Sequence, residues 1–351
     1  MKKATLLFIV IVTSLSYVTG NNNKANTQKH TIYCGIAFYN LENLFDTIHD
    51  AGKHDEEFLP NGSYHWNTLK YTHKQANMSK VLSELCTERL KVGAAFIGLS
   101  EIENSRVLDD LINQPALKAR GYKYLHIEGP DARGVDCAAL YNPQLFKPTG
   151  CKLIPPTGYY EATGYGTRGF LLIEGNMLGE RMHFIVNHWP SRRANSYSRE
   201  FVGRLVRKIV DSIQVKEPDA KIIIMGDLND DPDNKSVANA LGAKLSEKKI
   251  TSKQDLYNPW GITLRKNGEG TLLYDNMWNL FDQIIFTANF LGSNRSDFKF
   301  FKNEIYKPEY ITTKYGRYKG SPKRTTGGGV WQDGYSDHFP TQIYLVKEII
   351  R

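Results

Sequence analysis

Ile222-Ile223-Ile224-Met225 is an unbroken apolar run of strand length that stops abruptly at Gly226-Asp227-Leu228-Asn229-Asp230. No polar alternation marks one face as wet, so such a strand has to be covered on both faces. The design recurs. Strands are expected over 31–39, 94–99, 122–127, 136–141, 170–173, 182–187, 221–225, 281–287 and 341–346. Helices are expected over 68–90, where Met78, Val81, Leu82 and Leu85 recur at helical spacing, near 106–119, and over 198–215. Residues 46–66 are polar and turn-rich, a loop long enough to be functional. With no repeat and no linker between these segments, residues 31–351 read as one large α/β domain.

The start is different in kind. Lys2 and Lys3 precede an apolar run, Ala4 to Val12, that Thr13, Ser14 and Ser16 interrupt too soon for a membrane span. Residues 1–20 are read as a signal peptide and 21–30 as a polar tail, so the mature chain is expected to be exported, periplasmic or secreted, without stable membrane insertion. No cysteine stands at the expected cleavage point to carry a lipid. Cys34, Cys86, Cys137 and Cys151 lack the paired short spacing of a zinc site, and free thiols and disulfides both stay open.

Without Lys2 and Lys3 the net charge falls from +8 to +6, still basic and compatible with a polyanionic partner. One stretch is denser. Lys302, Lys307, Lys314, Arg317, Lys319, Lys323 and Arg324 interleave with Tyr306, Tyr310, Tyr315 and Tyr318. That mixture suits base stacking and phosphate contact, and equally an ordinary solvated loop.

Polar residues collect where the apolar strands end: Asn40 to Asn43, Ser100 to Asn104, Asn187 to Ser191, and Gly226 to Asp230. Singly, each is an ordinary turn former. Together with Ser336-Asp337-His338 they assemble carboxylates, carboxamides and imidazoles, the groups that hold a hard divalent cation and manage a proton during phosphate-ester cleavage.

The segments YNLENLF (39–45), GLSEIEN (98–104), VDCAALY (135–141), TRGFL (167–171), NHWPS (187–191), GDLND (226–230), FDQIIF (281–286) and SDHFP (336–340) carry a resemblance to the endonuclease/exonuclease/phosphatase superfamily, in its order and across nearly the whole mature chain. Within it the chain resembles the exported bacterial nuclease-like branch. The resemblance implies the deoxyribonuclease I-like fold: a four-layer sandwich of two mixed β-sheets packed face to face and flanked by helices. It implies Glu101, Asp337 and Asn40 at a Mg²⁺ or Mn²⁺ ion, with Glu103 a weaker match than Glu101, and Ca²⁺ a candidate structural ion. His338 and Asp227 become the acid-base groups, Asp282 the carboxylate that orients His338, and Asn229 the residue that holds Asp227 and a phosphate oxygen in place. His188 is implied as a phosphate-contacting donor, Arg168 as a phosphate-facing cation, and Arg133 as a weaker candidate.

Two departures bear on substrate. Met225 and Asp230 stand where the inositol phosphatases of the superfamily carry tryptophan and arginine, which argues against that branch. Asp230, Asp231 and Asp233 could repel phosphate, form a second cation site, or make a simple turn at Pro232. The expected function is metal-dependent phosphodiester hydrolysis by a monomer, with nucleic acid as the favoured substrate. A phosphatase or phospholipid-cleaving enzyme is the alternative. A non-catalytic binding protein is disfavoured, because none of His338, Asp227 or Glu101 is lost.

Overall fold

The computed structural model describes residues 29–350, so the leader expected over 1–20 and all but the end of the 21–30 tail lie outside the described residues. The chain runs β1 (Lys29–Leu44), α1 (Thr68–Glu84), β2 (Phe96–Ile102), α2 (Ser105–Asn113), α3 (Pro115–Lys118), β3 (Lys123–His126), β4 (Asp136–Tyr141) and β5 (Phe146–Ile154). It continues through α4 (Tyr159–Thr163), β6 (Phe170–Met177), β7 (Glu180–His188), α5 (Ser196–Lys216), β8 (Ile222–Asp227), β9 (Ala243–Lys244) and β10 (Leu256–Tyr257). The last part holds α6 (Trp260–Asn267), β11 (Leu272–Tyr274), β12 (Met277–Asn279), β13 (Asp282–Thr287), β14 (Lys299–Ile305), β15 (Thr326–Gly327), β16 (Val330–Trp331) and β17 (Thr341–Ile350).

Two sheets result, one ordered β14-β17-β1-β2-β4-β3 and the other β5-β6-β7-β8-β13-β10-β9. Their inner faces meet through alternate residues of each strand: Ile36 and Phe38, Phe96, Ile173, Phe184 and Val186, Ile223 and Met225, Ile284 and Phe286. The intervening residues face outward. Ala37, Tyr39, Ile97 and Leu99 pack under Met78, Val81 and Leu82 of α1. Ile185, Ile222, Ile224 and Ile285 pack under Val202, Val206, Ile209 and Val210 of α5. The unbroken apolar runs are thus explained: both faces of the central strands are buried, and the four-layer sandwich stands as expected.

Strand direction places the chemistry. β1 and β2 are parallel, as are β7 and β8, whereas β13 is antiparallel to β8 and β17 to β1. The C-terminal ends of β1, β2, β7 and β8 and the N-terminal ends of β13 and β17 therefore share one edge. At that edge Gly226 lies so close to its neighbour that an added Cβ would sit 2.3 Å from the Asn187 carbonyl oxygen. Gly226→Ala is expected to destabilise the fold by about 1–3 kcal/mol and to lower catalysis as well, because the β7–β8 spacing sets the position of His188 against Asp227. Urea unfolding beside a rate measurement checks it; a stable, fully active variant would contradict this packing.

Several sequence expectations need correction. The first helix ends at Glu84 rather than near 90, since Cys86 takes a left-handed φ of 64°. Cys86 is nevertheless buried, as are Cys34 and Cys137, and all four cysteines are free. The helical stretch near 106–119 is two pieces, divided where Pro115 starts the second. The 302–324 segment is not a loop throughout, because Lys302 to Ile305 belong to edge strand β14. No helix among the described residues is long and apolar enough to cross a membrane.

Candidate active site

His188, Asp227 and Asp282 lie abreast on three adjacent strands: Asp227 is registered with His188 on β7 and with Asp282 on β13. The segment before β17 brings the fourth group. Phe339 N–H donates to the Thr271 carbonyl at 2.7 Å, and the Ser336 hydroxyl donates to the Asn40 carbonyl at 2.7 Å while accepting from His338 N–H at 3.1 Å. Pinned to β1 and to Thr271 just ahead of β11, His338 sets Nδ1 2.7 Å from Asp282 Oδ2 and Nε2 3.8 Å from Asp227 Oδ2.

Asp227 is the centre of convergence. Its Oδ1 accepts the Asn229 N–H at 2.9 Å, and its Oδ2 accepts from Asn40 Nδ2 at 3.0 Å with His188 Nε2 3.6 Å away. The Asn40 carboxamide, expected at the metal, is turned to Asp227, while its Oδ1 accepts the Glu42 N–H at 2.9 Å and keeps one lone pair free. Asn229 holds Asp227 through its backbone; its side chain donates instead to the Trp189 carbonyl at 3.1 Å.

Glu42, Asn43, Glu101 and Asn229, all at the ends of central strands, have φ between 50° and 63°. Left-handed backbone costs a non-glycine residue about 1–3 kcal/mol, and such strain collects where function fixes side-chain direction. The turn aims Glu101 across the gap between the sheets: Oε2 accepts the Asn43 N–H at 2.8 Å, and Oε1 lies 3.7 Å from His188 Nε2. Glu103 points elsewhere, accepting the Asp46 N–H at 2.7 Å. Asp337 reaches the same gap, 3.8 Å from His338 Nε2, and Arg324 Nη2 meets its other oxygen at 2.9 Å.

The two histidines are driven in opposite directions. Burial lowers the affinity of His338 for a proton, but Asp282, Asp227 and Asp337 outweigh it and hold the ring well above its ordinary range. Burial, then Arg168, Arg133 and His338, push His188 well below it. Asp227 is pushed up to about 7, by burial first and by Asp282 and Glu101 next, against the lowering effect of His338. Arg168 and Arg133 both stand near Asp131, at 3.1 and 3.7 Å; Arg168 is buried and Arg133 half exposed. Both expected phosphate cations are therefore brought to the His188 side.

The donors present fit a hard divalent cation. No hydrogen bond among the described residues reaches Glu101 Oε1 or Asp337 Oδ1, and Asn43 Oδ1 and Asp282 Oδ1 are buried without a partner. Unpaired oxygens and mutually repelling carboxylates are what a cation compensates. Asp227, Asp282 and His338 could also gather one, each offering an atom within 4.8 Å of the others. His338 Nδ1 is already bonded to Asp282, however, so that trio is better suited to protons. Asp230, Asp231 and Asp233 offer no second open site: Arg199, Arg192 and Arg265 pair with them at 2.9, 3.1 and 2.8 Å.

Sequence reasoning missed Glu42 and Lys74, both buried. Glu42 accepts the Thr325 N–H, and Lys74 Nζ donates to the Thr325 hydroxyl and the Tyr335 carbonyl, clamping the loop that carries Asp337. Glu42 stands inside the 39–45 motif and was readable there; an isolated lysine on a helix gave no signal. The basic segment is less free than composition suggests, since Lys302, Lys307 and Lys314 pair with Glu304, Glu269 and Glu309.

The sequence profile of the endonuclease/exonuclease/phosphatase family matches residues 35–347, and so takes in every one of these groups. The chain belongs to that family. No curated protein matches its sequence. Among solved structures, this endonuclease/exonuclease/phosphatase-family chain is similar to a protein of the same family from Bacteroides thetaiotaomicron, with TM-score 0.56 and 16% identity over 90% of this chain and 96% of that one. A mannosyl-6-phosphatase from the same organism gives TM-score 0.54 and 16% identity over 89% and 99% of the two chains. TDP2 from D. rerio, complexed with single strand DNA product, gives TM-score 0.52 and 14% identity over 89% and 98%. At such identities the likeness is one of fold.

Proposed function

We propose that this family member is a divalent-metal-dependent phosphodiesterase acting on nucleic acid, and, from its leader-like start, an exported one. The observation that carries the reading is the convergence of Asn40, His188 and His338 on one oxygen of Asp227, between two sheets whose rims supply unpaired carboxylate oxygens.

Glu101 and Asp337, with the free lone pair of Asn40 Oδ1, would hold the cation. Bound there, Mg²⁺ or Mn²⁺ supplies charge compensation for the phosphate oxygens. The carboxylates around His338 hold its proton more tightly than an ordinary imidazole does, which suits it to donate, whereas Asp227, pushed up to about 7, is suited to accept. Asp227 therefore takes the proton of the attacking water, and Asn40 and Asn229 fix its direction. The imidazolium of His338 and the neutral His188 ring stand on the same side and donate to the phosphate oxygens that gain charge in the transition state. Arg168, steadied by Asp131, adds positive charge to that side. The basic balance and the Tyr/Lys/Arg-rich wall beside Asp337 support nucleic acid as the substrate class.

The test is hydrolysis of bis(p-nitrophenyl) phosphate, with p-nitrophenyl phosphate as the competing monoester. Chelation is expected to abolish diester hydrolysis and added Mg²⁺ or Mn²⁺ to restore it. Glu101→Gln should raise the metal concentration for half-maximal rate by roughly tenfold or more. Full activity in excess chelator, or preference for the monoester, overturns the reading.

A further inference from the structure

A cavity of about 910 Å³ opens directly beside Asp337. One wall is the tight turn of the β11–β12 hairpin, where Asp275 and Asn276 both take left-handed φ, and the other is the loop closed by the Thr312–Pro322 bridge. Arg324 and Asp337 belong to its lining, and Asp337 Oδ1 is 3.8 Å from His338 Nε2. The chamber therefore adjoins the reacting phosphate. Its volume falls within the roughly 300–1,000 Å³ of pockets that bury a drug-sized ligand.

The lining states what kind of group. Tyr315 is 84% and Tyr318 55% exposed, two large ring faces left in water at the wall of a concave site. Arg317 ties the walls together: Nη2 donates to Asn276 Oδ1 at 2.7 Å, and its guanidinium lies 5.7 Å from the Tyr318 ring centroid. Of the cations in this lining, Lys314 and Arg324 pair with Glu309 and Asp337, which leaves Arg317 and Lys323 without a carboxylate partner among the described residues. A neutral sugar gains little from such cations, whereas a planar, anionic group gains from both the rings and the charges. A base inside a duplex cannot present its face here without first flipping out.

Resting on the phosphodiesterase reading above, we propose that this cavity is a subsite for one unpaired nucleotide, stacked on Tyr315 and Tyr318, so that the enzyme acts on unpaired strands rather than within intact duplex. The experiment uses the full chain with Mg²⁺ and two esters that both release p-nitrophenolate: thymidine 5′-monophosphate p-nitrophenyl ester and methyl p-nitrophenyl phosphate. In the double variant Tyr315→Ala, Tyr318→Ala, the ratio of KM for the nucleotide ester to KM for the methyl ester is expected to rise on the order of 30-fold. Arg317→Gln should raise the same ratio, giving a second reading should the double variant fold poorly. Wild type should degrade a linear single-stranded oligonucleotide much faster than it nicks closed-circular duplex DNA. An unchanged ratio in both variants, or duplex nicked as fast as single strand, overturns the proposal. So does a hexose 6-phosphate that competes with the nucleotide ester through the same tyrosines. Wild type inert toward both esters would instead remove the phosphodiesterase reading, and the subsite with it.

Discussion

His338→Ala is expected to lower kcat/KM on a phosphodiester by about 10⁴-fold, and Asp282→Ala by a similar factor, with the double variant little worse than either alone. The reason is geometric. His338 Nδ1 has Asp282 Oδ2 as its partner at 2.7 Å, and Asp282 is wholly buried with its other oxygen unpartnered. Without that carboxylate the ring loses both its orientation and the charge that keeps it protonated, so the second substitution removes little that the first has left. Steady-state kinetics on bis(p-nitrophenyl) phosphate, with circular dichroism to confirm folding, measures the cycle. Losses that multiply would show that the two residues work separately.

Asp227→Asn should be as damaging, about 10⁴-fold, because the amide keeps the shape and loses the base. The same residue sets the pH profile. Its carboxyl, pushed up to about 7, must be ionised to act, so the rate is expected to fall as pH drops through that region. The imidazolium of His338 lowers the Asp227 value, so in the residual activity of His338→Gln the acid limb should move to higher pH. An acid limb that stays in place in that variant would assign it to another group.

Legibility from sequence followed burial. β8 and β13 were readable because Ile222 to Met225 and Ile284 to Phe286 are buried on both faces and carry a strong apolar signal. Edge strand β3 was expected at 122–127, but two other edge strands were not readable: β5 is interrupted by Lys147-Pro148-Thr149-Gly150, and β14 by Lys299, Lys302 and Glu304, polar residues of the sort that keep an open strand edge from pairing further. At the site, the motifs named the residues but could not say what each touches. Asn40 belongs to the expected motif, yet only the structure turns its amide toward Asp227. The ion pairs of Asp230 and Asp231 were not readable, because Arg199 and Arg192 lie far enough away in sequence to escape any local pattern.

The order of the strands has a temporal meaning. β17 zips against β1 from Phe38 paired with Thr341 to Lys29 paired with Ile350, joining segments about three hundred residues apart, and Asp337 and His338 arrive on its threshold. Until β17 is made, the chain can lay down β1, β2 and the helices over them, yet it has nothing to fix His338 beside Asp282. A nascent polypeptide is therefore expected to be chemically silent toward phosphate esters until β17 has been made and has paired with β1. Catalytic competence waits on β17, the strand that joins β14 to β1 within the first sheet.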